Sequence, residues 1–301
     1  MNIYELCIQY LKENVPSLND EQNWNQFEKL YFAKPNYSCL ENVFFEIPNS
    51  MYSQRRGMYI KYSVNESAIL TILHGDSVQK TCEYQYVSKT YGKDFMKLVE
   101  DLQKAIGFQI LNDNPNRNSW VIFAKSICDS ALFLSKYTSY DDLVAYCVKD
   151  NPADRFDIAK KIARQRGAGC SSVIMTLNWL KDIGIEGYCK PDIHLCRIIT
   201  GIFKDEFLEK GKPYTSTCMS EWEEKLPGKT KVQKDVFIKA VHQAVHDNAD
   251  LFAVDRILFL IGSGDFYEPG VLSSKLKEEY ASNVHGIDKD KRFVDFVLSH
   301  K

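Results

Sequence analysis

The segment at residues 190–198 combines residue types that could do acid–base chemistry at the start of a helix. It reads KPDIHLCRI, with a proline and an aspartate just ahead of apolar residues at helical spacing. An ionised carboxylate there can stabilise developing positive charge or activate a water. The positive end of the helix dipole favours that ionised form. Asp192 is therefore a candidate catalytic carboxylate, and a plain helix N-cap is the alternative.

A tight turn between two helical stretches precedes this segment. Its centre is Gly167-Ala168-Gly169, and glycines one residue apart allow a backbone to approach a partner closely. The amides that open the next helix are unpaired and lie at the positive end of its dipole, which suits a phosphate. Basic residues just upstream would add charge: Lys160, Lys161, Arg164 and Arg166. A structural turn without a ligand is the alternative.

Together, the turn and the Asp-x-His-x-x-Arg segment resemble the helix-hairpin-helix DNA glycosylases of the endonuclease III type. That family has a Gly-x-Gly hairpin, a helix and then a Val-Asp-Thr-His-x-x-Arg segment. Here Asp192, His194 and Arg197 stand at the same relative offsets. Pro191 replaces the usual valine, and the gap between hairpin and aspartate is slightly longer. The resemblance is sharp over residues 155–200.

The resemblance, which extends loosely over residues 118–262, implies hydrolysis of the N-glycosidic bond of a damaged or modified base in DNA. Breaking that bond builds positive charge on the sugar, which the catalytic carboxylate Asp192 would stabilise. Family members with lyase activity carry a lysine two residues after the hairpin, where this chain has Ser171, which cannot form an imine. We therefore expect a monofunctional enzyme that leaves an abasic site, in repair or in defence against modified foreign DNA. A non-catalytic helix-hairpin-helix DNA-binding protein is the alternative.

The resemblance also implies DNA contacts in two segments. The hairpin segment contributes Arg166, Gly167, Gly169, Cys170, Ser171 and Ser172. The second segment is an asparagine-rich loop before a helix, with Asn114, Asn116 and Arg117. In 8-oxoguanine glycosylases a similar turn enters the base stack where the target base is flipped out. An exposed turn that ends in a serine N-cap is the structural alternative.

Aromatic residues near the resemblance supply candidates for a base pocket. The candidates are Trp179, Tyr188, His194, Phe259, Phe266 and Tyr267. The last two follow a helix that would end beside the pocket in some glycosylases. Core packing is the alternative for Trp179, and the Gly262-Ser263-Gly264 stretch is also a natural helix C-cap.

No cofactor is expected. Some family members hold an iron–sulfur cluster through four cysteines after the catalytic region, but only Cys196 and Cys218 follow Asp192 here. A monovalent cation at the hairpin is the one alternative that stays open. His242 and His246 are spaced to share a helix face, and with Asp250 they could form a metal site. No glutamate lies between them as in HExxH, so an exposed polar face is favoured over a metal site.

The sequence pattern of the helices and strands that would position these residues predicts an α+β fold. A helix at Ile3–Glu13 precedes four short runs of β-branched and aromatic residues, which predict an antiparallel sheet. The runs are Leu40–Ile47, Gly57–Val64, Ala68–His74 and Cys82–Val87. An amphipathic helix follows at Lys93–Ile106. We therefore predict an N-terminal α+β region with an antiparallel sheet at residues 1–110, followed by a mainly α-helical helix-hairpin-helix glycosylase-like domain at 111–301.

The second region is predicted to be helical almost to its end. The predicted helices are Trp120–Leu134, Tyr140–Val148, Arg155–Gln165, Cys170–Ile183, Ile193–Phe203, Val232–Asp247, Ala253–Ile261, Ser273–Ala281 and Lys291–Leu298. Residues 204–230 are predicted to be mostly loop. No repeat of fixed period interrupts this pattern.

Composition narrows the class of protein. The 301 residues are 45% hydrophobic and 26% charged, which is typical of a globular protein. The net charge of −2 argues against indiscriminate coating of nucleic acid, so DNA binding would need a local basic face. Nine cysteines without a CxxC pair predict reduced thiols. With no apolar run long enough for a membrane and no signal-like N-terminus, we expect a cytoplasmic monomer.

Overall fold

The computed structural model describes residues 3–52, 56–110, 118–164, 173–202, 251–284 and 288–300. Within these ranges the chain forms 14 α-helices and one short 3-10 helix, Pro16–Asn19. The helices in the first half are α1 (Ile3–Asn14), α2 (Glu21–Tyr31), α3 (Leu40–Tyr52), α4 (Arg56–Ile72), α5 (Tyr84–Thr90), α6 (Phe95–Ile106) and α7 (Ser119–Leu134). Those that follow are α8 (Tyr140–Cys147), α9 (Pro152–Arg164), α10 (Val173–Asp182), α11 (Ile193–Ile202), α12 (Leu251–Ser263), α13 (Val271–Val284) and α14 (Lys289–Ser299).

The predicted α+β fold is wrong, because the described part of the first third contains helices and no strand. Helix α3 covers the first predicted strand, and α4 covers the second and most of the third. Helix α5 overlaps the fourth. An isolated antiparallel bridge between Asp76 and Thr81 is the only β pairing among the described residues.

Helix α3 shows the physical reason for this error. Its β-branched and aromatic residues favour a strand by propensity. However, Leu40, Val43, Phe44 and Ile47 recur at helical spacing, and all four are buried. Helix α3 packs this apolar stripe against α7 and α10. Burial of a helical face therefore outweighs the local propensity, which is a weak determinant of structure by comparison.

The chain divides into two compact units. The first consists of Met1–Lys34 and Glu186–Lys301, and the second is the continuous stretch Pro35–Ile185. The chain therefore passes between the units twice. Residue 110, after which the sequence predicts a domain boundary, falls within the range of the second unit.

Helix α7 forms the centre of the second unit. Eleven of its side chains are buried, and α3, α5 and α6 all pack against it. Asn118 begins the helix, because its side-chain oxygen accepts a hydrogen bond from the Trp120 amide at 2.9 Å. Helices α9 and α10, which flank the predicted hairpin, pack against each other in the same unit.

Helix α11 crosses the core of the first unit and carries the candidate site at its start. Its buried stripe is Leu195, Ile198, Ile199 and Ile202, at helical spacing. Helices α12 and α14 both pack against it. At Gly201 an added Cβ would lie 2.7 Å from Cγ2 of Val294 in α14, so this glycine allows the two helices to approach closely.

Candidate active site at the start of helix α11

Asp192 occupies the N-cap position of α11. Its Oδ1 accepts a hydrogen bond from the Leu195 amide at 2.9 Å, and its backbone carbonyl accepts one from the Cys196 amide at 2.9 Å. This is the usual geometry of an aspartate N-cap. Within the described residues, the second carboxylate oxygen, Oδ2, accepts no hydrogen bond. One oxygen of Asp192 therefore holds the helix start, and the other can serve a ligand or a water.

A second carboxylate fixes the backbone just ahead of Asp192. Oδ1 of Asp255, a residue of α12 that is 5% exposed, accepts a hydrogen bond from the Lys190 amide at 2.5 Å. The carbonyl of Lys190 in turn accepts a hydrogen bond from the Asp192 amide at 2.7 Å. The peptide units before α11 are thus tied to the buried face of α12.

The surroundings of Asp192 raise the pKa of its carboxyl group above the ordinary value. Burial is the largest cause, because it disfavours the charged form. The hydrogen bond from the Leu195 amide lowers the pKa, whereas the charge of Asp255 raises it. Lys190 and His194 also lower it. The helix start thus favours the ionised form, as the sequence suggests, but burial has the greater effect.

His194 and Arg197 are held by an acidic residue from another helix. Asp290, in the first turn of α14 and 4% exposed, accepts from both side chains. Its Oδ1 lies 3.0 Å from His194 Nδ1, and its Oδ2 lies 3.2 Å from Arg197 Nη1. These contacts fix two of the three residues of the Asp-x-His-x-x-Arg segment by linking α11 to α14. They also give both residues a structural role.

Gly262 is required where α12 passes this pairing. A Cβ at position 262 would meet a carboxylate oxygen of Asp290 and would lie 2.6 Å from Cβ of His194. No real side chain could occupy that space without displacing these neighbours. The sequence suggested Gly262 only as part of a helix C-cap, and the close approach of α12 to α11 gives it a second, steric role.

Three of the predicted pocket residues form a row of rings beside the start of α11. Phe259 of α12 makes edge contacts with the His194 ring and with the Tyr267 ring, at centroid distances of 6.0 and 5.9 Å. Tyr267 is 38% exposed, and the Arg256 guanidinium lies 5.7 Å from its ring centroid. We call His194, Phe259 and Tyr267 the aromatic row. A partly exposed row of this kind can stack on a planar ligand.

The other predicted pocket residues lie in packed interiors. Phe266 is buried between Phe27, Tyr31 and Tyr280 in the first unit, where Tyr188 is also buried. Trp179 is fully buried in the second unit and makes an edge contact with a phenylalanine of α7. These positions agree with the core-packing alternative given for Trp179. A pocket role for Phe266, Tyr188 and Trp179 stays a prediction.

Several predicted site residues lie outside the described residues. They are the hairpin residues Arg166, Gly167, Gly169, Cys170, Ser171 and Ser172, the loop residues Asn114, Asn116 and Arg117, and the histidines His242 and His246. The suggested cation at the hairpin falls in the same category. The structure does describe the helices on either side of the hairpin, α9 and α10.

Asp255 and Asp290 are the functional candidates that the sequence analysis missed. Asp255 lies 65 positions beyond Lys190, and Asp290 lies 96 positions beyond His194. No local spacing signals such a contact. Asp290 does stand two residues after the N-cap Asp288, and Asp255 and its neighbour Arg256 are the two charged residues of a mostly apolar helix, which is an unusual place for a charge.

No family model, curated protein or solved structure matches this chain. Across the described ranges, no group of three or more His, Cys, Asp or Glu side chains is arranged to hold a metal ion. The helices of those ranges include none that is long and apolar enough to cross a membrane. The geometry around Asp192 and the sequence resemblance are therefore the features that indicate a function.

Proposed function

We propose that this chain is a monofunctional DNA glycosylase that removes a damaged or modified base and leaves an abasic site. The supporting observation is the divided role of Asp192. One of its carboxylate oxygens caps α11, and the other makes no hydrogen bond to the described residues. A carboxylate held rigidly by its own helix, with one oxygen still available, suits the stabilisation of a short-lived positive charge.

The proposed reaction needs Asp192 in its ionised form. As the N-glycosidic bond breaks, the electron pair leaves with the base and positive charge grows on the deoxyribose. The negative charge of Asp192 stabilises that state, and water then adds to the sugar and loses a proton. Because burial raises the pKa of Asp192, activity should fall with decreasing pH at a higher pH than for an ordinary aspartate.

Helices α9 and α10 support the DNA-binding half of the proposal. They pack against each other on either side of the Gly167-Ala168-Gly169 sequence, as a helix-hairpin-helix requires. Lys161 and Arg164 are exposed in the last turn of α9, so positive charge is present just before the hairpin. Such charge favours contact with a phosphate backbone of any sequence.

The aromatic row supports a role in holding a base. Its rings belong to α11, to α12 and to the segment after α12, all within the unit that carries Asp192. A glycosylase must take its target base out of the DNA stack, and aromatic side chains replace the lost stacking. The partial exposure of Tyr267 makes one ring of the row accessible to such a base.

A non-catalytic DNA-binding protein is the second candidate, and one observation favours it. Asp192 caps a helix, and His194 and Arg197 are bonded to Asp290. All three side chains of the Asp-x-His-x-x-Arg segment thus have structural partners. The segment could be retained for stability alone while the hairpin binds DNA.

Base release by an Asp192→Asn variant separates the two candidates. Asparagine caps helices as well as aspartate does, so the substitution removes the charge and keeps the cap. With a panel of duplexes that each contain one modified base, we expect release to fall about 10²- to 10³-fold. DNA affinity, measured by fluorescence anisotropy, should stay close to that of the wild type.

Asp288→Asn is the matched control, since Asp288 caps α14 through the Lys291 amide and is exposed. It should release base at the wild-type rate. If the wild type releases no base from any duplex, or if Asp192→Asn is as active as the control, the non-catalytic candidate is favoured.

The monofunctional part of the proposal is tested with borohydride. Ser171 stands where lyase members carry their nucleophilic lysine, so no imine should form and no covalent protein–DNA adduct should be trapped during turnover. Product strands should stay intact until alkali or heat cleaves the abasic site. A trapped adduct on the wild type would reveal an amine nucleophile, with Lys190 beside Asp192 as the first residue to replace.

A further inference from the structure

Asp255 is a charged residue in an apolar setting. It lies in α12 among side chains that form the core of the first unit, including Val254, Ile257 and Leu258, which are fully buried. Burial of a carboxylate is costly unless hydrogen bonds compensate for the lost water. The Lys190 amide provides one such hydrogen bond, at 2.5 Å. Asp255 therefore links the buried face of α12 to the backbone that precedes the proposed catalytic residue.

A continuous series of hydrogen bonds leads from Asp255 to the carboxylate of Asp192. The Lys190 amide donates to Asp255, and the Lys190 carbonyl accepts from the Asp192 amide at 2.7 Å. The side chain of Asp192 then accepts from the Leu195 amide at 2.9 Å. Asp255 holds the amide of Lys190, and the carbonyl of Lys190 holds the amide of Asp192. Asp255 therefore restrains the orientation of the Asp192 backbone by acting on Lys190, two residues before it.

We propose that Asp255 is a positioning residue for Asp192, which it orients through the backbone of Lys190. This inference rests on the proposed function, because it assigns Asp192 the catalytic role. It adds a residue from α12 that does not need to touch DNA. The accuracy required is high, since a displacement of about 1 Å at a reacting group can cost roughly 100-fold in rate.

The charge of Asp255 has a second consequence, because it adds to burial in raising the pKa of Asp192. Charged and titratable groups also reach the start of α11 from three other places. Lys190 lies on the preceding segment and His194 on α11 itself, and both lower the pKa of Asp192. From α14, Asp290 bonds to His194 and Arg197, and Lys289 donates to the Ser263 carbonyl.

Two substitutions of Asp255 separate orientation from charge. In Asp255→Asn, the side-chain oxygen can still accept from the Lys190 amide, but the negative charge is gone. In Asp255→Ala, both the acceptor and the charge are gone, and the Lys190 amide loses this partner. Asp265→Asn is the control, because Asp265 is an exposed aspartate paired with Lys277 in the same unit.

The pKa of Asp192 is measured first, in the protein without DNA, by NMR titration of carboxyl-¹³C-labelled aspartate. The Asp192 signal is the one absent from Asp192→Asn. We expect a lower pKa for Asp192 in Asp255→Asn and an unchanged one in Asp265→Asn. This readout does not depend on enzymatic activity. If no base is excised by the wild type, the proposed function fails while the titration still decides whether Asp255 acts on Asp192.

The kinetics of base release are measured second. In Asp255→Asn we expect a kcat near that of the wild type at neutral pH, with the acidic limb of the kcat profile moved to lower pH. In Asp255→Ala we expect kcat to fall about 10- to 100-fold with little change in KM. Rescue by asparagine would support orientation through Lys190. A wild-type kcat in Asp255→Ala, or a kcat in Asp255→Asn as low as that in Asp255→Ala, would overturn the positioning role, and an Asp192 pKa that does not fall in Asp255→Asn would overturn the effect of the Asp255 charge.

Discussion

Three of the described helices of the first unit begin with an aspartate N-cap, and only one of these caps is partly buried. Asp20 accepts from the Asn23 amide at 2.9 Å, Asp288 from the Lys291 amide at 3.1 Å, and Asp192 from the Leu195 amide at 2.9 Å. Asp20 and Asp288 are exposed. The local geometry of the three caps is therefore almost the same, and the surroundings distinguish them.

The difference between the three caps indicates which of the aspartates is suited to catalysis. An exposed aspartate caps a helix at little cost, because water solvates its charge. Asp192 makes the same capping bond while burial raises the pKa of its carboxyl group. A structural cap gains nothing from that burial, whereas a carboxylate that must act on a charged transition state benefits from a site with little water. Perturbed titration at an otherwise ordinary cap is thus the distinguishing signal.

Among the substitutions that test this difference between the caps, Gly262→Ala should have the largest effect on stability and on base release. The new methyl group would collide with Asp290 and His194, which link the start of α11 to α14. We expect a loss of about 1–3 kcal/mol in the free energy of unfolding, as for overpacked cores, measured by urea denaturation. Base release should fall as well, because the surroundings of Asp192 would shift.

Gly107→Ala provides the matched control for this substitution. Gly107 has a φ of +68° and no atom near its missing Cβ, so alanine there introduces backbone strain without a collision. It should lower stability and leave base release unchanged. Equal effects of the two substitutions on base release would show that the approach of α12 to α11 does not matter for the site.

Asp192→Asn should change the stability of the fold by a smaller amount and in the opposite direction, so that the protein becomes more stable. Because the pKa of Asp192 is higher in the folded protein than in the unfolded chain, its ionised form destabilises the fold at neutral pH. Asparagine keeps the cap without the charge, so the variant should melt at a higher temperature than the wild type at pH 7. The gain should shrink as the pH falls through the folded-state pKa of Asp192 and vanish below the unfolded-state value.

Asp288, the exposed cap of α14, provides the control for this prediction. Asp288→Asn exchanges the same chemical groups at a solvated helix start and should give no such gain at pH 7. Melting temperatures measured by circular dichroism from acidic to neutral pH would follow both variants. A gain for Asp192→Asn that is independent of pH would mean that its charge is not the cause.

Helix positions in the described ranges after residue 118 could be predicted from the sequence, whereas the class of the first third could not. The predicted helix at Val232–Asp247 and the predicted loop at 204–230 lie outside the described residues. The prediction at Trp120–Leu134 is confirmed by α7, and the one at Ile193–Phe203 by α11, to within one residue at each end. In both, apolar residues recur at helical spacing. At residues 40–47 the same spacing was present, but short runs of β-branched and aromatic residues pointed to strands. Whether the helical spacing or the strand propensity determines the structure there depends on α7, which packs against α3 and is distant from it in sequence.

The candidate site was predictable in its local part only. Proline and aspartate before an apolar stripe predict the helix start at residue 192, and the structure places a capping aspartate there. The contacts of Asp255 and Asp290 with this segment could not be predicted, because each joins residues far apart in the chain. Burial of Asp192 is likewise a property of the assembled helices, so its raised pKa has no signal in the local sequence.

The division of the chain into units has a consequence for how the protein is made. The second unit is one continuous stretch, so it can fold on the ribosome as soon as that stretch has emerged. The first unit has to wait, because α1 packs against α12, α13 and α14, which are synthesised last. Until then the apolar face of α1, with Ile3, Cys7 and Leu11, is not covered by these three helices. The core of the first unit can therefore be completed only after the whole second unit has been synthesised.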